Sequence, residues 1–95
     1  VTPYTAPEQL DGELTSTTDV YRVGLLAHRL LTDQEPFANA GDIEQTIRTG
    51  ELAAPSEIAD LPERTDEIIA TATAQDPNER YSSVWELRDQ LGNLL

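Results

Sequence analysis

Residues 17–32 constrain the fold of this chain more than any other stretch. Val20, Val23, Gly24, Ala27 and Leu31 fall on one face at helical spacing, and Tyr21, Leu25, Leu26 and Leu30 extend apolar character well beyond that stripe. A helix apolar around most of its circumference needs neighbours on several sides, so the pattern predicts a buried helix at the domain centre. Thr17 and Thr18 offer N-cap hydroxyls, and Asp19 places a negative charge in the first turn, where the helix dipole favours it. Pro36 stands at or just beyond the end.

The rest of the chain supplies shorter helices. Val1 to Thr15, with two prolines and a glycine, reads as a loop containing a helical turn at Ala6–Leu10. Asp42 to Thr49 reads as a short helix capped by Asp42 and stopped by Gly50, with Ile43 and Ile47 four residues apart. Glu51 to Leu61 reads as a loop around Pro55. A further helix is predicted to start at Pro62, since proline suits the first helical position, and to close at Asp76-Pro77. Leu61, Ile68, Ile69, Ala70 and Ala72 form its core side. Ser83-Val84-Trp85-Glu86 matches a capping box, and Val84, Leu87, Leu91 and Leu94 then recur at helical spacing. No segment reads as a strand, and nothing repeats. The expectation is an all-α single domain over residues 1–95.

Composition narrows the function classes. A chain of 95 residues buries roughly two-thirds of its unfolded surface, enough for a modest core. It contains no Met, even at position 1, which points to a segment of something longer. Without Cys there is no disulfide framework, thiolate metal site or cysteine nucleophile. Eighteen acidic residues face six basic ones, all Arg, for a net charge of −12. Such a surface repels phosphate backbones and anionic lipid, which argues against nucleic-acid or membrane binding through this segment. High salt screens self-repulsion, so the composition suits a halophile protein, such as one from a halophilic archaeon. An acidic docking face for a basic partner is the other reading. The acids are spread along the chain rather than blocked, which favours the first. No apolar run approaches the roughly 18 residues of a membrane span, and the expected setting is soluble and cytoplasmic.

A search for catalytic chemistry among the residues returns little. There is no Gly-rich phosphate cradle and no Lys to hold a nucleotide phosphate. His28, in the middle of an apolar run, reads as a packed helix residue, and the carboxylates show no spacing diagnostic of metal binding. No catalytic and no metal residue is assigned.

Three separated segments nevertheless resemble the signature of the eukaryotic-like (Hanks-type) Ser/Thr protein kinases. Thr2-Pro3-Tyr4-Thr5-Ala6-Pro7-Glu8 is similar to the end of the activation segment, with Ala6-Pro7-Glu8 as the A-P-E element. Asp19-Val20-Tyr21-Arg22-Val23-Gly24, then Leu30-Leu31-Thr32 and Pro36-Phe37, resemble the family's central helix and the turn after it. Asp76-Pro77-Asn78-Glu79-Arg80 resembles the Asp-Pro-x-x-Arg segment between its last two large helices. Each is weak alone; together, in this order, they cover nearly the whole chain. The tail from Arg80 to Leu87 looks most like the bacterial and archaeal branch.

The resemblance implies a partial kinase C-lobe: residues 1–15 as substrate-positioning loop and A-P-E turn, and 16–95 as a helical subdomain around the central helix. It implies a buried ion pair between Glu8 and Arg80, in which guanidinium grips carboxylate through parallel hydrogen bonds. It gives Asp19 the role of accepting hydrogen bonds from the catalytic loop, and Thr2, Pro3, Tyr4 and Thr5 a role in seating the protein substrate. One departure stands out: the family's usual threonine position falls on Val1, and the threonine sits one residue later, at Thr2.

The Gly-rich loop, lysine, catalytic aspartate and metal-binding aspartate of the family all lie upstream of its A-P-E element, and none is present here. ATP and Mg²⁺ would thus belong to the intact parent and not to this chain. The implied function is scaffold and partial substrate platform for Ser/Thr phosphorylation, with the upstream kinase lobe and a protein substrate as partners. The alternative is a kinase-derived interaction module or pseudokinase remnant that docks a partner through the Asp42–Thr49 helix. An isolated piece of this kind is expected to expose apolar surface beside its central helix and to hide it by self-association.

Overall fold

The computed structural model describes residues 2–37, 41–50 and 52–94; Val1, part of both the expected loop and the threonine comparison, and Glu51 lie outside that set. Among the described residues six α-helices follow in order: α1 (Pro7–Leu10), α2 (Thr18–Thr32), α3 (Ile43–Thr49), α4 (Pro55–Ile58), α5 (Glu63–Ala72) and α6 (Val84–Gly92), with a 3-10 turn at Pro77–Glu79 before the last. No strand occurs among the described residues. The all-α reading holds.

Helix α2 is the hub, packing against α4, α5 and α6. Its two sides feed two separate core clusters. Val20 meets Ile68, Ala72 and Leu87 on the α5/α6 side, and Tyr21 and Leu25 meet Ala6 on the side of the N-terminal loop, with Tyr4, Phe37 and Leu52 packed around them. Each fully buried aliphatic of these clusters contributes roughly 1.5–3 kcal/mol by leaving water. Gly24 lies where α2 meets the end of α5: a Cβ there would come within 2.8 Å of the Ala72 Cβ and 3.0 Å of Thr73 Cγ2. The glycine is what lets these two helices come so close.

The predicted all-round burial of α2 holds for only part of its circumference. Leu26 is 49% and Leu30 81% exposed, one helical turn apart on one face. The molecule measures 36 × 29 × 16 Å between Cα extremes, about two helix layers thick. Two layers cover two sides of a central helix and leave a strip open. Trp85 is also exposed, at 68%, with the Arg88 guanidinium carbon 4.9 Å from the centre of its ring.

Several helix ends differ from the sequence expectation. Pro62 is the residue before α5 and not its first, because its ψ of 148° is extended. Helix α5 ends at Ala72, and Asp76-Pro77 opens an element instead of closing one: the Asp76 carboxylate accepts the Asn78 amide at 2.9 Å and starts the 3-10 turn. The stretch around Pro55 contains the one-turn helix α4, held to α5 by the Asp66 carboxylate, which accepts from the Ser56 amide and hydroxyl. At α6, Ser83 accepts the Glu86 amide as a cap should, but the Glu86 carboxylate reaches Ser82 and not Ser83. Asp42 caps α3 at 3.1 Å, and Gly50 takes the left-handed φ of +73° that ends it.

Candidate functional site

Glu8 and Arg80 are 72 positions apart in sequence and adjacent in space. Arg80 Nη1 donates to Glu8 Oε2 at 2.6 Å and Nη2 to Oε1 at 2.9 Å, with both side chains almost fully withdrawn from solvent. The remaining donors of the guanidinium are also taken. Nε donates to the Ala74 carbonyl at 2.8 Å, Nη1 to the Thr17 carbonyl at 3.3 Å and Nη2 to the Gln75 carbonyl at 3.5 Å. Five acceptors for five N–H groups is the full capacity of an arginine. The stretch that follows α5 supplies the Ala74 and Gln75 carbonyls.

The carboxylate is equally well supplied. Thr18 Oγ1 donates to Glu8 Oε2 at 2.7 Å while accepting from the Thr15 amide at 2.9 Å. Burial on its own pushes the Glu8 carboxyl up. The Arg80 hydrogen bonds, then the Thr18 hydroxyl and the Glu8 amide, outweigh it and hold the carboxyl down at about 2. A buried pair stabilises only when desolvation is offset in this way. Four segments meet at it: α1, the start of α2, the stretch after α5 and the 3-10 turn.

Thr17 and Thr18 are where reading by local pattern went astray. Neither hydroxyl caps α2. Thr18 serves the carboxylate, and Thr17 Oγ1 donates to the Pro77 carbonyl at 2.9 Å. Nothing local distinguishes a capping threonine from one that bonds across the fold.

Residues 2–5 form a closed turn. The Thr5 amide donates to the Thr2 carbonyl at 3.1 Å, the Thr2 amide to Thr5 Oγ1 at 3.0 Å, and the Tyr4 amide to Thr2 Oγ1 at 3.2 Å. Thr2 is exposed; Pro3, Tyr4 and Thr5 are half-buried. The turn runs directly into α1, whose start is fixed by Gln9 Oε1 accepting the Ala6 amide at 2.8 Å. Asp19 stands apart. It is exposed in the first turn of α2, and no hydrogen bond among the described residues reaches its carboxylate. His28 is buried, with Nε2–H donating to the Ala53 carbonyl at 2.8 Å, so it ties α2 to the segment before α4.

Among the described residues, no three His, Asp or Glu side chains come together in a way that could hold a metal ion. The polar hollow beside Glu8 is lined by Asp11 and Glu13, and Arg48, which also lines it, is bonded to Asp11. Its charge is wrong for a polyphosphate.

No helix among the described residues is long and apolar enough to cross a membrane. No protein-family model matches the chain. Individual proteins do. The serine/threonine-protein kinase PknD of Chlamydia felis is 35% identical over 92 residues, covering 93% of this chain and 10% of that protein. The serine/threonine-protein kinase PknL of Mycobacterium tuberculosis is 39% identical over 85 residues, covering 83% of this chain and 21% of that protein. The tyrosine-protein kinase MasK of Myxococcus xanthus is 33% identical over 96 residues, covering 97% of this chain and 15% of that protein. The chain therefore spans between a tenth and about a fifth of the length of these relatives. With its helical fold and its kinase-named relatives, this chain is a kinase-related region.

Proposed function

We propose that the chain is the C-terminal part of the C-lobe of a Ser/Thr protein-kinase catalytic domain, from the A-P-E turn to the last helix. Residues 1–15 form the substrate-positioning loop and 16–95 the helical subdomain. The longer enzyme transfers the γ-phosphoryl of ATP, with Mg²⁺, to Ser or Thr of a protein, and the nucleotide is held by the upstream lobe. This segment contributes the scaffold and, through Thr2, Pro3, Tyr4 and Thr5, part of the substrate platform. Asp19, exposed here, awaits the catalytic loop. The acidic surface fits the cytoplasm of a salt-adapted cell.

The observation that carries this reading is the buried Glu8–Arg80 pair. It joins the turn that follows residues 2–5 to the helical core, as a substrate loop requires if it is to hold its shape. Similarity to kinase-named proteins along nearly the whole chain supports it.

The test is phosphoryl transfer by the longer protein that carries this segment. Purified with Mg²⁺ and labelled ATP, it should place label on Ser or Thr of a protein substrate. A preceding sequence without a glycine-rich loop, a lysine and a His-Arg-Asp-type segment would sink the reading. A second reading, a non-catalytic interaction module, draws on the outward face of α3, where Glu44, Gln45 and Arg48 are exposed above a buried Ile47. An upstream lobe present but lacking its catalytic aspartates would select it.

A further inference from the structure

The turn at residues 2–5 is tied to the far end of α2 through Glu35 and Arg29, which no sequence motif singles out. Tyr4 Oη donates to Glu35 Oε2 at 2.9 Å, and among the described residues this is the only hydrogen bond that leaves the turn. The other oxygen of Glu35 accepts from Arg29 Nε at 3.2 Å, and Arg29 Nη1 donates to Asp33 Oδ1 at 3.1 Å. Arg29 belongs to the last turn of α2, so a rigid element fixes the carboxylate that Tyr4 meets.

The backbone around Glu35 is held in an unusual shape. Asp33 ends α2 in the left-handed conformation common at helix C-termini, with φ +57°, and Phe37 has φ +58°, a value a bulky side chain takes only where the surroundings impose it. Between them Pro36 is fully buried, and Phe37 packs with Tyr4 over the same core of Ala6, Tyr21 and Leu25. The reversal after α2 therefore presents Glu35 to Tyr4.

We infer that Glu35, braced by Arg29, is a positioning residue that fixes the conformation of residues 2–5 through Tyr4, and with it the seat offered to a protein substrate. The substrate half rests on the kinase reading above; the positional half does not. The charges agree with the geometry: the Tyr4 hydrogen bond, then Arg29, holds the Glu35 carboxyl below its ordinary range, and burial followed by Glu35 raises the Tyr4 phenol, which stays a neutral donor.

The experiment uses the longer protein and its Glu35→Ala, Tyr4→Phe and double variants, followed by hydrogen exchange of the peptide spanning residues 2–6. Peptides of α5 report on the global fold. Each single variant should speed exchange of that peptide roughly fivefold, as expected for one lost hydrogen bond, and leave α5 unchanged. The double variant should match the singles, and Glu35→Gln, which keeps an acceptor, should fall between Glu35→Ala and wild type. Singles that exchange like wild type, or effects that add in the double, overturn the positional role. In a phosphorylation assay, Glu35→Ala should raise KM for the protein substrate several-fold at constant KM for ATP. An unchanged protein-substrate KM despite a loosened turn overturns the substrate half. A wild-type protein that transfers no phosphate overturns the kinase reading instead, and the exchange measurement still decides the rest.

Discussion

The guanidinium carbon of Arg80 lies 4.8 Å from the centroid of the Tyr21 ring, on the same side chain whose donors are consumed by Glu8 and three carbonyls. The ring belongs to the central helix, so the cation is held in plane by hydrogen bonds and from one face by an aromatic surface. Burial drives the Tyr21 phenol up to about 12, Arg80 opposing and Glu8 adding to the shift. A charge enclosed this completely has no solvent to fall back on when one partner is removed.

Substitution at the pair should therefore be costly and hard to rescue. Glu8→Ala or Arg80→Ala is expected to lower unfolding free energy by about 3–5 kcal/mol, read from urea denaturation. Arg80→Lys should recover little of it, because one ammonium group cannot face both Glu8 oxygens and the Ala74 carbonyl together. A lysine variant as stable as wild type would contradict the five-bond account.

Acid should weaken the fold through the same carboxylate. Its folded value, about 2, lies below the ordinary 4.5. The stabilisation is thus fully present above 4.5 and disappears as pH falls from there towards 2. Its size is on the order of 3 kcal/mol. A melting temperature that climbs steadily down to pH 2.5 would show that the pair contributes nothing.

Salt should act in the direction set by that charge. Eighteen acids against six arginines repel one another on a small surface, and at 1 M salt the screening length falls to about 3 Å. The melting temperature is expected to rise by several degrees between low and molar salt, with the buried Glu8–Arg80 pair little affected. A flat titration would remove salt adaptation from the account of this composition.

Gly24→Ala sets two effects against each other. Alanine gains up to about 1 kcal/mol in helix propensity. Its Cβ, however, would stand 2.8 Å from the Ala72 Cβ, an atom with no rotamer by which to move away. Overpacking of this kind costs about 1–3 kcal/mol, so the variant should be less stable by about 1–2 kcal/mol. A stabilised Gly24→Ala protein would mean that α2 and α5 separate readily.

Leu30 offers the opposite case. At 81% exposure, Leu30→Gln should change stability by less than about 0.5 kcal/mol. If the open strip with Leu26 is a contact surface, the same change should lower the sedimentation-derived mass of any self-associated form. A large stability loss in a monomer would instead show that Leu30 is covered.

Local order was legible along the chain. The period of apolar residues through 17–32, the Asp42 cap, the Gly50 stop and the repeat from Val84 to Leu94 all depend on neighbours within a turn or two, and helices appear at each. The boundaries at Pro62 and Asp76 were less readable, because where α5 stops depends on what takes its last carbonyls. Arg80 takes the carbonyls of Ala74 and Gln75 just beyond the end of α5, a meeting that no local pattern announces.

What the sequence determined by itself was the all-helical character, the place of α2 as hub and the charge that the surface must carry, since these follow from residue type and short-range spacing. Tertiary structure alone decided which threonine hydroxyls serve a distant carboxylate, which strip of the central helix stays open, and that Glu35 meets Tyr4. Those outcomes depend on side chains brought together from remote positions by the packing of a thin, two-layer molecule, and helical periodicity carries no information about such meetings.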